Sequence, residues 1–289
     1  MPALPTAAPF ALSLPSGRLC GLRWGRPGAR PVLALHGWLD NAASFTPLAP
    51  ALLARDDIDL LAIDLAGHGH SDWLPAGYSQ PAQAAQLLGL LDALGWPQVD
   101  LIGHSMGASI AGLLAAALPE RVTRLVCIDA LGPLSAPPEQ TVTRLREYLL
   151  GQQPAQQRQP RSLPDPEHAL RLRMQANALS RGNAGLLVER GLRQDGNQWR
   201  WRTDPQLTHA SAVYLHESQV QAMLAAIRCP ALLLQAEPPG RFIAPQLQQQ
   251  RQACITGLQT INLPGGHHLH MENAAACAAA ILAFINQDE

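Results

Sequence analysis

Two short runs in this chain are apolar at nearly every position, and no other feature constrains its fold as much. Val32–Leu35 and Ile58–Ile63 lack the in-and-out alternation of a strand with one wet face. Strands read this way when both faces are covered, as in a mostly parallel sheet packed between layers of helices. Val99–Ile102 and Leu125–Ile128 continue the series, and each run is separated from the next by turn residues or by a segment of helical composition.

The intervening sequence fits that reading. Phe10–Leu14 and Arg18–Trp24 flank Pro15-Ser16-Gly17, which predicts a hairpin before the first buried strand. Ser79 can cap a helix running to Leu94, where Gly95 and Pro97 end it, and the Ala- and Leu-rich stretch Ser105–Leu118 stops at Pro119. A strand–helix–strand rhythm of this kind implies an α/β fold with right-handed crossovers. After Pro133 the rhythm fails. Gln152–Pro166 reads as a loop, and Glu167–Leu179 and Ser218–Ile227 have helical periodicity. Strands resume at Ala231–Leu234 and Leu258–Leu263, before an Ala-rich helix over Asn273–Ile285. The expected organisation is a core of residues 1–133 and 227–289 interrupted by a mainly helical insertion over 134–226.

Composition narrows the function. Hydrophobic residues make up 47% and charged residues 15% of the 289, a globular profile. A net charge of −1 gives no long-range field for phosphate backbones or anionic lipid, so nucleic acid is not an expected partner. Lysine is absent and all 21 basic side chains are arginine, which removes Schiff-base chemistry and the phosphate-loop lysine. The five cysteines are scattered without metal-ligand or disulfide spacing. Met1–Phe10 has no basic leader character, and the apolar stretches are too short or too interrupted to span a bilayer. A soluble cytoplasmic protein is expected.

Gly103-His104-Ser105-Met106-Gly107 joins an expected strand to an expected helix. A serine there occupies a sharp turn whose glycines let backbones pass closely, and its hydroxyl stands at the N-terminus of a helix. A serine hydroxyl attacks only when a base takes its proton. His267 is the candidate base, because it follows Leu258–Leu263 through Pro264-Gly265-Gly266 and so lies on a loop at a strand's C-terminal end. His268 and His270 stand beside it without the carboxylate or thiol that would complete a metal set, so no metal is expected. An oxyanion would be held by the backbone amides of Met106 and of Trp38, the latter in His36-Gly37-Trp38 after the first buried strand. The other reading of Trp38 is a core aromatic, and both can hold, the amide serving the oxyanion while the indole packs.

His36-Gly37, the run Asp64-Leu65-Ala66-Gly67-His68-Gly69-His70-Ser71, the Ser105 turn and Gly266-His267 resemble, in order and spacing, the motif set of the α/β-hydrolases. More narrowly, Gly37–Phe45 and Pro264–Met271 are similar to the serine hydrolase-like proteins. The resemblance implies a mostly parallel eight-stranded sheet with helices on both faces, and it makes the insertion a cap over the pocket. Leu145, Leu149, Leu172, Met174, Leu179, Leu186 and Leu187 then either line an apolar roof or form the cap's own core. Asp64 and His68 are expected to hold their loop. His36 and His104 are expected to shape their turns, with Trp38 beside them as candidate pocket residues.

The acid departs from the family pattern, since Pro239 stands where many relatives carry Asp. Other relatives take the acid from the end of the preceding strand, here Asp129; Glu237 is the alternative, and an incomplete triad the third. The activity implied is cleavage of a carboxylic ester or thioester of a small or lipid-like acyl substrate through an acyl-enzyme on Ser105, without a cofactor. A lactonase, a carbon–carbon bond hydrolase and a non-catalytic binding protein of the same fold stay open.

Overall fold

The computed structural model describes residues 6–54, 57–75, 77–156, 161–209, 211–240 and 243–286. The chain opens with the hairpin β1 (Ala8–Leu14) and β2 (Gly17–Gly25), then runs through β3 (Arg30–Leu35), α1 (Ala49–Leu52), β4 (Ile58–Asp64), α2 (Gln80–Ala93), β5 (Val99–His104), α3 (Met106–Ala117) and β6 (Val122–Ile128). An insertion follows, carrying α4 (Thr141–Gln156), β7 (Ser162–Leu163), α5 (Pro166–Asn177), α6 (Arg181–Gly191), β8 (Leu192–Asp195) and β9 (Gln198–Trp201). The chain returns through α7 (Glu217–Ala225), β10 (Ala231–Glu237), α8 (Pro245–Cys254), β11 (Gln259–Pro264), α9 (Leu269–Glu272) and α10 (Ala274–Ile285).

Eight strands form one sheet in the order β1-β2-β4-β3-β5-β6-β10-β11, antiparallel through β1, β2 and β4 and parallel from β4 onward. Successive strand residues point to opposite faces. Leu33, Leu35, Leu61, Ile63, Leu101 and Leu233 pack on one face with Leu87, Leu90 and Leu91 of α2 and Ile110 and Leu114 of α3. Val32, Ala34, Leu60, Ile102, Val126 and Leu234 pack on the other with Leu52 of α1 and Ile281 and Phe284 of α10. Burial on both faces explains the unbroken apolar runs. Ser79 caps α2 through its hydroxyl, which accepts from the Ala82 amide, as expected.

The insertion is not wholly helical, because β7, β9 and β8 form a three-stranded antiparallel sheet. These strands are two to four residues long and largely polar, so no alternating pattern marks them. The loop expected over Gln152–Pro166 is partly occupied by the end of α4; residues 157–160 lie outside the described residues. The insertion has its own apolar cluster, with Leu163, Leu170, Leu179, Leu187, Val188 and Leu192 around Met271 of α9. Leu172 and Met174 pack against that cluster, whereas Leu145 and Leu149 of α4 are exposed. The helix α7 lies within 134–226, yet Val220 and Leu224 are packed in the core with the sheet. Among the described residues no helix is long and apolar enough to cross a membrane.

Candidate active site

Parallel strands bring their C-terminal ends to one edge of the sheet, where the loops after them meet. Ser105 follows β5 there, Asp129 follows β6 and His267 follows β11. Ser105 has φ 52° and ψ −114° as it turns the chain from strand into helix, and its amide donates to the Ile128 carbonyl at 3.0 Å. The turn has no room for side chains beside the serine. A Cβ on Gly107 would lie 2.1 Å from the Leu35 carbonyl oxygen, and one on Gly103 would lie 2.4 Å from the Ala108 Cα. The glycines that flank the serine are required by close backbone approach.

The His267 ring bridges two partners: its Nε2 lies 2.9 Å from Ser105 Oγ and its Nδ1 2.7 Å from Asp129 Oδ2. A carboxylate only accepts, so Nδ1 carries the proton and Nε2 offers its lone pair to the serine hydroxyl. Asp129 is buried at the strand end, where its Oδ1 accepts from the Ala236 amide at 2.9 Å, so both oxygens are engaged. Glu237 is placed differently. It lies exposed at the end of β10, and its carbonyl, not its carboxylate, meets the His267 loop by accepting from the Gly265 amide.

Met106 opens α3, so its amide has no acceptor inside the helix and points out of its N-terminus. The loop bearing Trp38 leaves β3, which pairs with β5, and Gly37 lies so close to His104 that a Cβ would stand 2.7 Å from the ring Nδ1. The Trp38 side chain is not a core aromatic: it is 52% exposed, and its indole N–H donates to the Leu207 carbonyl of the insertion.

His36 and His104 sit beneath the turns and do not open onto solvent. His36 is wholly buried; its Nδ1–H donates to the Gly37 carbonyl while its Nε2 accepts from the Leu65 amide. His68 is held in the same way by the Ala66 carbonyl and the Leu39 amide. Burial pushes the His36 ring below its ordinary value and that of His68 down to about 3. Asp64 accepts from the Ala42 and His70 amides and from Arg190 of α6, so it ties the loop and the insertion together. Both Asp64 and His68 thus act as loop fasteners.

A second polar cluster lies under the site. Asp40 is buried, with Oδ1 paired to Arg173 of α5 and Oδ2 facing His268 Nε2 at 3.2 Å and His104 Nδ1 at 3.6 Å. Burial opposes its ionisation, but the Arg173 guanidinium and the hydrogen bond with His268 hold its carboxyl well below the usual carboxylate range. His104 Nε2–H donates to the His267 carbonyl at 2.8 Å, and burial pushes the ring down to about 4. His270 is wholly buried against His104 and Phe45, and burial holds it well below its ordinary value. The ligand atoms of Asp40, His104 and His268 converge within 4.8 Å, a donor set with the span of a cation site. The Arg173 guanidinium already supplies the positive charge there, so a divalent ion would add uncompensated charge to a buried pocket. Sequence reasoning missed this cluster, since Arg173 carries no motif and Asp40 lies in a stretch read only for its resemblance.

Similarity to known proteins agrees with the geometry. Residues 30–274 match the family model of the alpha/beta hydrolase fold. A serine hydrolase-like protein of Dictyostelium discoideum is 33% identical over 284 residues, covering 92% of this chain and 78% of its own. A crystal structure of a hypothetical protein of Pseudomonas aeruginosa superposes with a TM-score of 0.88 at 36% identity, over 95% of this chain and 98% of that one. The thioesterase domain from the curacin biosynthetic pathway superposes with a TM-score of 0.87 at 27% identity, over 96% and 99%. With this fold, and with a family match that spans most of its length, the chain belongs to the α/β-hydrolase family, among its serine hydrolase-like members.

Proposed function

We propose that the protein is a serine hydrolase that cleaves a carboxylic ester or thioester of a small or lipid-like acyl substrate through an acyl-enzyme on Ser105. The observation that carries this reading is the hydrogen-bonded line Asp129–His267–Ser105, drawn from three different loops. His267 takes the hydroxyl proton as Ser105 Oγ attacks the acyl carbonyl. Asp129 holds the ring in the required tautomer and stabilises the imidazolium that forms. The tetrahedral oxyanion is held by the amides of Trp38 and Met106, and the imidazolium then protonates the leaving group. A water activated by the same imidazole releases the acid and restores the serine. Residues 134–226 serve as the cap over this site.

The likeness to a thioesterase domain keeps thioesters beside esters among the substrates. A cytoplasmic location fits the five cysteines, all of which are free. Labelling with a fluorophosphonate probe tests the central claim. The wild type should be labelled at Ser105 and Ser105→Ala should not; an unlabelled wild type would indicate a binding protein of the same fold. A panel of nitrophenyl esters and acyl thioesters of rising chain length then assigns the acyl group.

A further inference from the structure

Two buried ion pairs fasten the insertion to the core. Arg190 of α6 grips Asp64 with contacts of 2.7 to 3.1 Å, and Arg173 of α5 grips Asp40. Their side chains are alike in burial, 14% exposed for Arg190 and 12% for Arg173, with both carboxylates almost fully buried. What lies behind the carboxylates differs. Asp64 is bonded to the amides of Ala42 and His70 in its own neighbourhood. Asp40 faces two imidazoles, and each leads to His267. His268 is its neighbour in the chain, and His104 donates to its carbonyl oxygen at 2.8 Å.

We propose that Arg173, although carried by the insertion, is a positioning residue for the Ser105–His267 pair, acting through Asp40 and His268 on the main chain of His267. Asp40 itself belongs to the loop of Gly37 and Trp38, and its amide donates to the Gly37 carbonyl at 3.1 Å. One carboxylate therefore joins the loop after β3, the residue before Ser105 and the loop of His267. Its buried negative charge is stable in that place because a guanidinium neutralises it. Without Arg173, Asp40 would have to take a proton or turn toward water. Either change withdraws the fixed acceptor that orients His268, and the His267 loop loses its register with Ser105. The ring and the hydroxyl need not move far, since a misplacement of about 1 Å costs roughly a hundredfold in rate. The cap thereby becomes part of the alignment of the catalytic groups as well as a roof.

The proposal rests on Ser105 and His267 being the reacting pair, and its test separates the two claims. The rate of fluorophosphonate labelling at Ser105 and the kcat and KM for a nitrophenyl ester are measured in the wild type, Arg173→Ala, Arg173→Lys, Asp40→Asn and the double variant Arg173→Ala/Asp40→Asn. Arg173→Ala should lower kcat and the labelling rate by about a hundredfold with little change in KM. Guanidinium added to Arg173→Ala should restore part of the rate, and Arg173→Lys should fall between the two. In the Asp40→Asn background the loss of Arg173 should cost almost nothing more, because the two act as one unit. Arg190→Ala serves as the control: it removes an equally buried fastening and should lower Tm without this drop in kcat. An unlabelled wild-type Ser105 removes the serine reading and the positioning role with it. A labelled wild type with an undiminished rate in folded Arg173→Ala and Arg173→Lys overturns the positioning role alone. Equal losses of kcat in Arg173→Ala and Arg190→Ala overturn it too, since general loosening of the cap would then suffice.

Discussion

Asp129 Oδ2 lies 2.7 Å from His267 Nδ1, joining two residues 138 positions apart in the chain. Asp129→Asn keeps the shape and removes the charge, which presents the wrong tautomer to Ser105; kcat should fall by about 10⁴ with KM little changed. Glu237→Gln should retain wild-type rates, because Glu237 is exposed at the end of β10. Steady-state kinetics on both variants check this, and the opposite ranking would transfer the acid's role to Glu237.

Acid should unfold the protein earlier than its net charge of −1 suggests. His36, His68, His104 and His270 are all buried and held below their ordinary value, His68 at about 3 and His104 at about 4. The unfolded chain binds protons near pH 6.5 while the folded one refuses them. Stability from these groups is therefore complete above about pH 6.5. It is lost as pH falls from there toward the folded values, at up to about 1.4 kcal/mol per pH unit for each ring. Asp40 acts only at the acid end of this range, since its contribution is complete above the unfolded carboxylate value of about 3.9 and fades below it. Thermal scans from pH 8 to pH 4 should show Tm dropping steeply below about 6.5; a flat profile would contradict the buried, neutral state of these rings.

At the turn around Ser105 the limiting quantity is space. Gly107→Ala places a methyl group 2.1 Å from the Leu35 carbonyl oxygen, and both backbones there belong to the core. The variant should express poorly or lose more than about 3 kcal/mol, well beyond ordinary overpacking. Gly185→Ala is the matched control in α6, where a Cβ meets nothing within 4 Å. Equal Tm values for the two would refute the close approach.

The cap assignment is tested on α4, where Leu145 is 41% exposed and Leu149 60%. Removing exposed apolar groups changes stability by less than about 0.5 kcal/mol. Leu145→Ser with Leu149→Ser should therefore leave Tm intact and shift the preferred acyl length of a nitrophenyl ester series. An unchanged profile would place chain-length selection elsewhere.

The sequence shows best what depends on local chemistry. The buried strands declare themselves by apolar runs such as Leu60–Ile63, and Ser105 and His267 by the turn residues around them. For the acid the sequence leaves three possibilities, Asp129 among them, since a carboxylate at a strand end has no pattern of its own. Long-range pairs left no trace. Arg173 meets Asp40 across 133 positions, and nothing near either residue announces the other. The helix α8 was missed for a related reason. Its buried residue is Arg251, which pairs with Glu217 and donates to Ser135 and the Leu131 carbonyl, so there is no apolar stripe to find. Polar strands β8 and β9 likewise escape an alternation test.

Among the described residues, four that are not glycine have positive φ: Leu39 at 61°, Ser105 at 52°, Asp129 at 50° and Ala178 at 51°. The first three stand at the site, and each such conformation costs on the order of 1–3 kcal/mol against a total stability of about 5–15 kcal/mol. Selection for thermal endurance would favour glycine at all three positions. At 105 and 129 that change deletes the hydroxyl and the carboxylate, so heat resistance and the proposed chemistry pull the same codons in opposite directions. At 39 the side chain carries no proposed step, and an engineered lineage can relax the backbone there first.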